Sequence, residues 1–412
     1  MTTDHLGIPK KQNILLTGGR APVALDLARL LHHADHQVFV AESTPYHLCR
    51  VSDAVEESFE VPSPRHHPQA YIEALEQLII SLQIDLLVPT CEEIFYIALG
   101  LERLSSRCRV LSVGLDLLHS LHHKGDFIRQ AQQFGFNVPD TLLIVNSREW
   151  QRVMEDEFRA GRMVLKPAYS RFASKVIMPS ELLKAKRKQR RMNQRDPWSE
   201  GSVAAPWIAQ QYISGTALCT YSIVHEGTVV AHATYKSHYR TGKVGASVHF
   251  EHLKHIPIYE WVSQFVKAIS FTGQIGFDFI EAEDGIVYPI ECNPRATSGI
   301  HLFAQEDRLE QALLFPEILV RTGEVITPNS GRKAMLTLPM LACGFKLGWN
   351  FKDWHAWWRA LREAGDVVYQ QDDPHPFYEQ FRIVFKACKM ARQMGMSVME
   401  SLTEDIEWNG ER

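Results

Sequence analysis

Two acidic residues thirteen positions apart, Asp278 and Glu291, bracket the run Gly276-Phe-Asp-Phe-Ile-Glu-Ala-Glu-Asp-Gly-Ile-Val-Tyr-Pro-Ile-Glu-Cys-Asn-Pro-Arg295. Apolar residues on either side of Asp284-Gly285 predict a two-residue hairpin turn, which pairs Glu283 with Ile286 and sets Asp278 directly opposite Glu291. Asn293 then shares their face. Opposed carboxylates on neighbouring strands repel unless a proton or a cation lies between them. Two carboxylates and an amide form an all-oxygen set suited to Mg2+ bridging substrate phosphates, so Asp278, Glu291 and Asn293 are the candidate metal ligands. The plainer alternative is an edge hairpin whose acids are simply solvated. Pro289 lacks a ladder donor, which confines its strand to an edge or a bulge and opens the way to a one-residue slip in register.

The remaining chain sets the bounds. Its 412 residues, 45% of them hydrophobic, can bury a sizeable core across two to four domains. A formal charge of −4 gives no bulk attraction to nucleic acid or anionic membrane. No apolar run approaches the length of a spanning helix and the first residues lack a signal-peptide pattern, so a cytoplasmic location is expected, with neither nucleic acid nor membrane as partner. Seven singly scattered cysteines read as free thiols in a reducing compartment.

Residues 13–18, the helical pattern through Val23, Leu27, Leu30 and Leu31, and the strand Gln37–Ala41 form a βαβ opening. Glu42 at the end of the second strand invites a dinucleotide reading, but Thr17-Gly18-Gly19-Arg20-Ala21-Pro22-Val23 lacks the third glycine of that fingerprint. Strands at 84–89 and 109–113, with a helix near 92–104, continue the α/β alternation. A helix carrying Lys124, Phe127, Ile128 and Ala131 ends at Gly135 and leads through Pro139 into a strand at 141–145. His119 and His123, four apart on one predicted helix face, are an alternative zinc pair with no further ligands in sight. The run Lys184–Arg191 places six basic residues in eight and reads as a solvated helix or lid segment, with polyanion attraction as the alternative. Near the C-terminus Phe351, Trp354, Trp358 and Leu361 recur at helical spacing and predict one packed aromatic face. Asp373-Pro374-His375-Pro376 precedes another helix near 378–394.

Lys124, the run Val164-Leu-Lys-Pro167, the run Ile208-Ala-Gln-Gln-Tyr-Ile-Ser-Gly215, Asp278 and the run Ile290-Glu-Cys-Asn-Pro-Arg295 resemble, in order, the motifs of the ATP-grasp superfamily, most closely its carbamoyl-phosphate-synthetase-like members. The resemblance covers roughly residues 10–325. It implies an α/β chain with an α+β lid: a Rossmann-like domain at 1–117, an ATP-grasp domain at 118–325 with a nucleotide lid at about 140–212, and a mostly helical extension at 326–412. It further implies ATP and Mg2+ as cofactors, Mn2+ being an acceptable substitute. Lys124 then reaches nucleotide phosphates and Lys166 the α-phosphate, each an ammonium point charge suited to that task. The usual glycine-rich phosphate loop is replaced by Ala168-Tyr-Ser-Arg-Phe-Ala-Ser-Lys175, so Ser170, Arg171 and Ser174 are the substitute donors. Gln210, Gln211, Tyr212 and Ile213 form the adenine wall, and Ala217 stands where a ribose-binding acid is common. Arg240, then Lys236, are candidates for a cation at the γ-phosphate. Arg295 follows the ligand run, where a planar guanidinium suits the transferring phosphoryl oxygens.

The implied activity is an ATP-dependent carboxylate–amine ligation through an acyl phosphate, acting on small-molecule carboxylates and amines such as amino acids or peptides; the sequence leaves the oligomeric state open, a homodimer being one arrangement. Two other classes stay open: a nucleotide-binding protein without ligase activity, given the altered phosphate loop and the missing ribose acid, and an NAD-dependent oxidoreductase built on residues 13–42.

Overall fold

The computed structural model describes residues 11–155, 161–169, 176–180, 206–240, 247–344 and 351–410. They fall into two compact units, one drawn from Met1–Ser112, Ala304–Phe315 and Val368–Glu407, the other from Val113–Phe303, Pro316–Val367 and Trp408–Arg412. The helical C-terminal stretch therefore contributes to both units.

In the first unit, short apolar strands alternate with amphipathic helices, and the outcome is a parallel sheet. Strands β1 (Asn13–Thr17), β2 (Gln37–Glu42), β3 (Glu57–Glu60), β4 (Leu86–Val88) and β5 (Arg109–Val110) lie in the order β3-β2-β1-β4-β5. The helices Pro22–His33 and Pro68–Ser81 each begin with proline, whose fixed φ suits the first turn. The predicted helix near 92–104 is two helices, Glu93–Leu99 and Leu101–Ser105, separated at Gly100. Glu42 is buried and accepts from Arg20 Nε at 3.0 Å and from the Ser43 amide at 2.6 Å, while Arg20 also reaches Asp405 at 2.6 Å. The carboxylate that the dinucleotide alternative assigned to a ribose is thus already spent inside the protein. Arg29 is likewise buried and bound to Asp373 at 2.9 Å, which gives the acid of the Asp373-Pro374 punctuation a structural task.

The second unit holds two antiparallel systems. A three-stranded sheet, β6 (Thr141–Ile144), β7 (Met163–Pro167) and β8 (Trp207–Gln211), has the order β6-β8-β7. A seven-stranded sheet comprises β9 (Gly215–His225), β10 (Thr228–Lys236), β11 (His249–Leu253), β12 (Gly273–Ala282), β13 (Val287–Asn293), β14 (Lys333–Met335) and β15 (Gly365–Asp366), in the order β13-β12-β9-β10-β11-β14-β15. Every pairing in it is antiparallel except that of β14 with β15. One face of the large sheet carries Leu218, Val224, Phe277 and Phe279 and packs on Phe127 and Ile128 of the helix Lys124–Gln133 and on Trp261 and Phe265 of the helix Ile256–Ala268. Trp261 stacks on Phe265 at 4.9 Å and meets Phe277 edge-on at 5.2 Å. With β-strand alternation, this core pushes Cys219, Asp278 and Glu291 to the opposite face.

The C-terminal aromatic helix, Phe351–Glu363, packs with a different register from that predicted. Trp357 is buried with Trp354, Ala360 and Leu361 at its sides, and its indole donates to the Met340 carbonyl at 3.1 Å. Trp358 faces outward. Spacings of three and four from Trp354 fit both tryptophans equally, and close packing of the Trp357 ring against Gly344 selects it.

Candidate active site

The hairpin brings Asp278 and Glu291 together as the sequence predicts, by a route with two compensating offsets. The turn spans three residues: the Ala282 amide bonds to the Ile286 carbonyl at 2.9 Å, the Gly285 amide to the Ala282 carbonyl at 2.9 Å, and Gly285 takes φ +81°. A three-residue loop ending in a left-handed glycine is a standard hairpin solution, and it shifts the pairs to Glu281 with Val287 and Phe279 with Pro289. A bulge between Asp278 and Phe279, with Ile290 as the extra residue, shifts them back, so that Asp278 pairs with Glu291 and Gly276 with Asn293. Pro289 sits beside the bulge, where a missing ladder donor costs least. The Ile290 carbonyl turns to Lys166 and accepts from its Nζ at 3.2 Å.

Lys124 opens its helix and is buried, with its ammonium 3.3 Å from Glu291. The helix start is fixed by His123, whose Nδ1 accepts from the Asp126 amide at 3.0 Å. Lys166 comes from β7, also buried. Burial pushes its pKa down to about 8, against the pull of Glu291. The Asp278 carboxyl is raised by burial and by Glu291, while burial of Glu291 is outweighed by Lys124, Lys166 and His122, which hold it below its ordinary value. Two half-buried, mutually repelling carboxylates beside an amide present an all-oxygen donor set of the kind that Mg2+ takes. The Asn293 amide oxygen accepts from Arg295 Nη2 at 3.1 Å, so a metal would share this oxygen with the guanidinium through its second lone pair.

The other candidates divide clearly. Arg240 lies close enough to Asp278 for its charge to oppose the rise in that carboxyl's pKa. Lys236 does not join it. Lys236 is cross-strand to Leu218 and to Glu251, on the face that packs against the helices, so strand parity removes our second choice from the γ-phosphate position. Gln210 is buried, and its amide donates to Thr141 Oγ1 at 3.2 Å. Gln211 and Tyr212 follow at the sheet end, but the Gln211 amide is spent on the Asp140 carbonyl at 2.7 Å and the Tyr212 amide on the Arg162 carbonyl at 2.7 Å. Of the adenine wall, those two N–H groups are thus unavailable to read a base; Ile213 lies just beyond them. Ser170, Arg171, Ser174 and the basic run at 184–191 lie outside the described residues. His119 and His123 are not on one helix: the first helix ends at His122 and His123 is the cap of the next. His119 Nε2 instead meets the Tyr169 hydroxyl at 2.6 Å.

Two neighbours went unnoticed in the sequence. Cys219, paired with Asp278 across β9 and β12, hydrogen-bonds that carboxylate. His122 adds positive potential at Glu291. Neither carries a local motif; only the fold brings them there.

Residues 123–299 match the model of the ATP-grasp domain. Solved structures agree in fold. An N5-carboxyaminoimidazole synthase from Aspergillus clavatus, solved with ADP and 5-aminoimidazole ribonucleotide, superposes with a TM-score of 0.58 at 12% identity, covering 82% of this chain and 87% of that one. An L-amino acid ligase from Bacillus licheniformis gives 0.53 at 15% identity, with 74% and 75% covered. The biotin carboxylase domain dimer of Hydrogenobacter thermophilus 2-oxoglutarate carboxylase, solved with MgADP and bicarbonate, gives 0.52 at 14% identity, with 70% and 65% covered. No curated protein sequence matches the chain. Residues 123–299 thus carry an ATP-grasp domain, and the solved structures share the fold around it.

Proposed function

We propose that this protein is a carboxylate–amine ligase that works through an acyl phosphate on small molecules, with amino acids or short peptides as the first substrates to try. The observation that carries the reading is the convergence of Lys124 and Lys166 on the opposed acids Asp278 and Glu291. A triphosphate bound against this cluster would meet the two buried ammonium groups beside a carboxylate pair that could hold Mg2+. Mg2+ bound there supplies charge neutralisation for the β- and γ-phosphates.

The chain's own residues position and neutralise. Lys166, held by the Ile290 carbonyl, offers its ammonium to the nucleotide phosphates, and Lys124 keeps Glu291 ionised. Arg295, anchored on Asn293 and the Ala296 carbonyl, presents a planar donor set to phosphoryl oxygens. Arg240 adds charge near Asp278. A substrate carboxylate oxygen attacks the γ-phosphorus, the bond to the β-phosphate oxygen breaks and ADP leaves. An amine then attacks the acyl carbon, loses its proton and displaces inorganic phosphate. Positioning and electrostatics account for such a reaction without a protein nucleophile. One solved relative in fold is named an amino acid ligase, which supports the choice of substrates, and another was solved as a dimer, which supports a homodimer. A cytoplasmic location remains our reading.

The test is ADP release against a panel of carboxylates and amines, with hydroxylamine added to trap the acyl phosphate as a hydroxamate. Release that needs both a carboxylate and an amine, with hydroxamate formed when hydroxylamine replaces the amine, supports the proposal. ATP binding with no ADP under any mixture favours the nucleotide-binding alternative, and a requirement for a thiol in place of an amine rejects the C–N assignment.

A further inference from the structure

The helix His375–Met394 turns Pro376, Glu379, Ala387 and Ala391 inward and presents an outer face that the ligase reading does not use. Tyr378, Phe381 and Phe385 recur at spacings of three and four along it and are 63%, 54% and 74% exposed, with Val384 beside them. Large apolar side chains lined up in the open at helical spacing are unusual in a monomer and mark contact surfaces. The stripe is held in place. Phe377 packs edge-on against Tyr369 at 5.6 Å, Tyr378 at 5.7 Å and Phe381 at 5.9 Å, so less side-chain freedom is lost when something covers it.

Charge says what covers it. Arg382, Lys386 and Lys389 form a second column, at spacings of four and three, along one flank of the aromatic stripe, and Arg392 stands two turns beyond Phe385 in line with the stripe. The only acid on the helix, Glu379, is buried and already paired with Arg50 at 3.1 Å and Arg382 at 3.3 Å. Tyr46 lies beneath the guanidinium of Arg382 and the ammonium of Lys386 at 5.6 and 5.2 Å, which fixes part of that column. The exposed face is therefore apolar and cationic within a chain of net charge −4. A second copy of the chain is disfavoured, because a two-fold contact of this face with itself sets cations against cations. A lipid surface would engage both flanks of the stripe, yet Arg382, Lys386 and Lys389 lie on one flank and Val384 and Cys388 on the other. An aromatic stripe with a basic flank on one side and a cation at its far end matches a helix that carries an apolar stripe beside acidic residues.

We infer that the outer face of His375–Met394 docks an acidic amphipathic helix of a partner protein, with Tyr378, Phe381 and Phe385 as apolar anchors and Arg382, Lys389 and Arg392 as its charge-selective edge. The probe is a fluorescein-labelled synthetic helix with leucines at spacings of three and four beside a glutamate column, titrated with the full-length protein by fluorescence anisotropy. Controls are a scrambled peptide, a lysine-for-glutamate peptide, and flotation with phosphatidylcholine–phosphatidylserine vesicles. The acidic helix should bind at least about tenfold tighter than either control peptide. Phe381→Ser with Phe385→Ser, and separately Lys389→Glu with Arg392→Glu, should each weaken it by about tenfold or more. These positions are exposed, so heat stability and ATP turnover should hold in both variants and show that the fold is intact. Charge reversal should also turn preference toward the lysine peptide, which mere damage to the helix would not do. Equal binding of acidic and scrambled peptides, or no binding, overturns the proposal; so does vesicle binding abolished by the same substitutions, or self-association through this face.

Discussion

Raising the pH should loosen ATP from this protein, because Lys166 holds its proton weakly. Without nucleotide its ammonium has a pKa of about 8, lowered by burial from the ordinary 10.5, while Glu291 and Asp278 pull it upward and Lys124 pushes it down. The protonated fraction then falls from about nine-tenths at pH 7 to about one-tenth at pH 9. A bound phosphate favours the ammonium and restores it. Affinity therefore follows the fraction already protonated, and the Kd for a non-hydrolysable ATP analogue with saturating Mg2+ should rise about tenfold from pH 7 to pH 9. Isothermal titration calorimetry over that range measures it directly. Lys166→Arg, whose charge does not titrate here, should flatten the profile; Lys166→Met should flatten it and weaken binding throughout. A wild-type Kd independent of pH, or an unchanged tenfold rise in Lys166→Met, would refute the reasoning. The same shift bears on stability: the folded state gives up this proton before the unfolded chain does, so the cost of burying the ammonium is fully present below pH 8. That cost, about 3 kcal/mol, is relieved as the pH climbs from 8 to 10.5.

Other outcomes follow from the same geometry. Lys236→Ala should leave kcat/KM for ATP within about twofold, whereas Arg240→Ala should lower it by tenfold or more; equal losses would return Lys236 to the site. Gly276→Ala should be poorly tolerated, since a Cβ there lies 2.7 Å from the Thr220 carbonyl and meets the Thr297 methyl; about 1–3 kcal/mol of stability is at stake, read by chemical denaturation. Removing the helix cap with His123→Ala should cost about 1 kcal/mol and raise the KM for ATP by shifting Lys124, and a change in stability with no change in KM would separate the cap from the site.

Much of this was legible in the chain, for reasons that differ element by element. The Asp278–Glu291 pairing was readable because burial of Phe277 and Phe279 fixes which face the acids take, and that demand survives a longer turn by adding a bulge at Ile290. The turn length itself was not readable, since Asp284-Gly285 serves a two-residue and a three-residue loop alike. Lys236 was misplaced because proximity in sequence to the adenine run says nothing about strand parity. Trp358 was chosen over Trp357 because helical spacing admits both and only the pocket beside Gly344 distinguishes them. Gln210 donates its amide nitrogen to Thr141 across the sheet, a contact that no local pattern announces. Cys219 and His122 reach the carboxylates through strand pairing and helix placement, which no local pattern announces.

The account stands on the carboxylate pair as a metal site, and the most direct measurement is a Mn2+ titration followed by electron paramagnetic resonance in the presence of the ATP analogue. Wild-type protein should bind the ion with an affinity that falls at least about tenfold in Asp278→Asn and in Glu291→Gln, with ADP release lost in parallel. Mn2+ affinity and ADP release unchanged in both variants would contradict it.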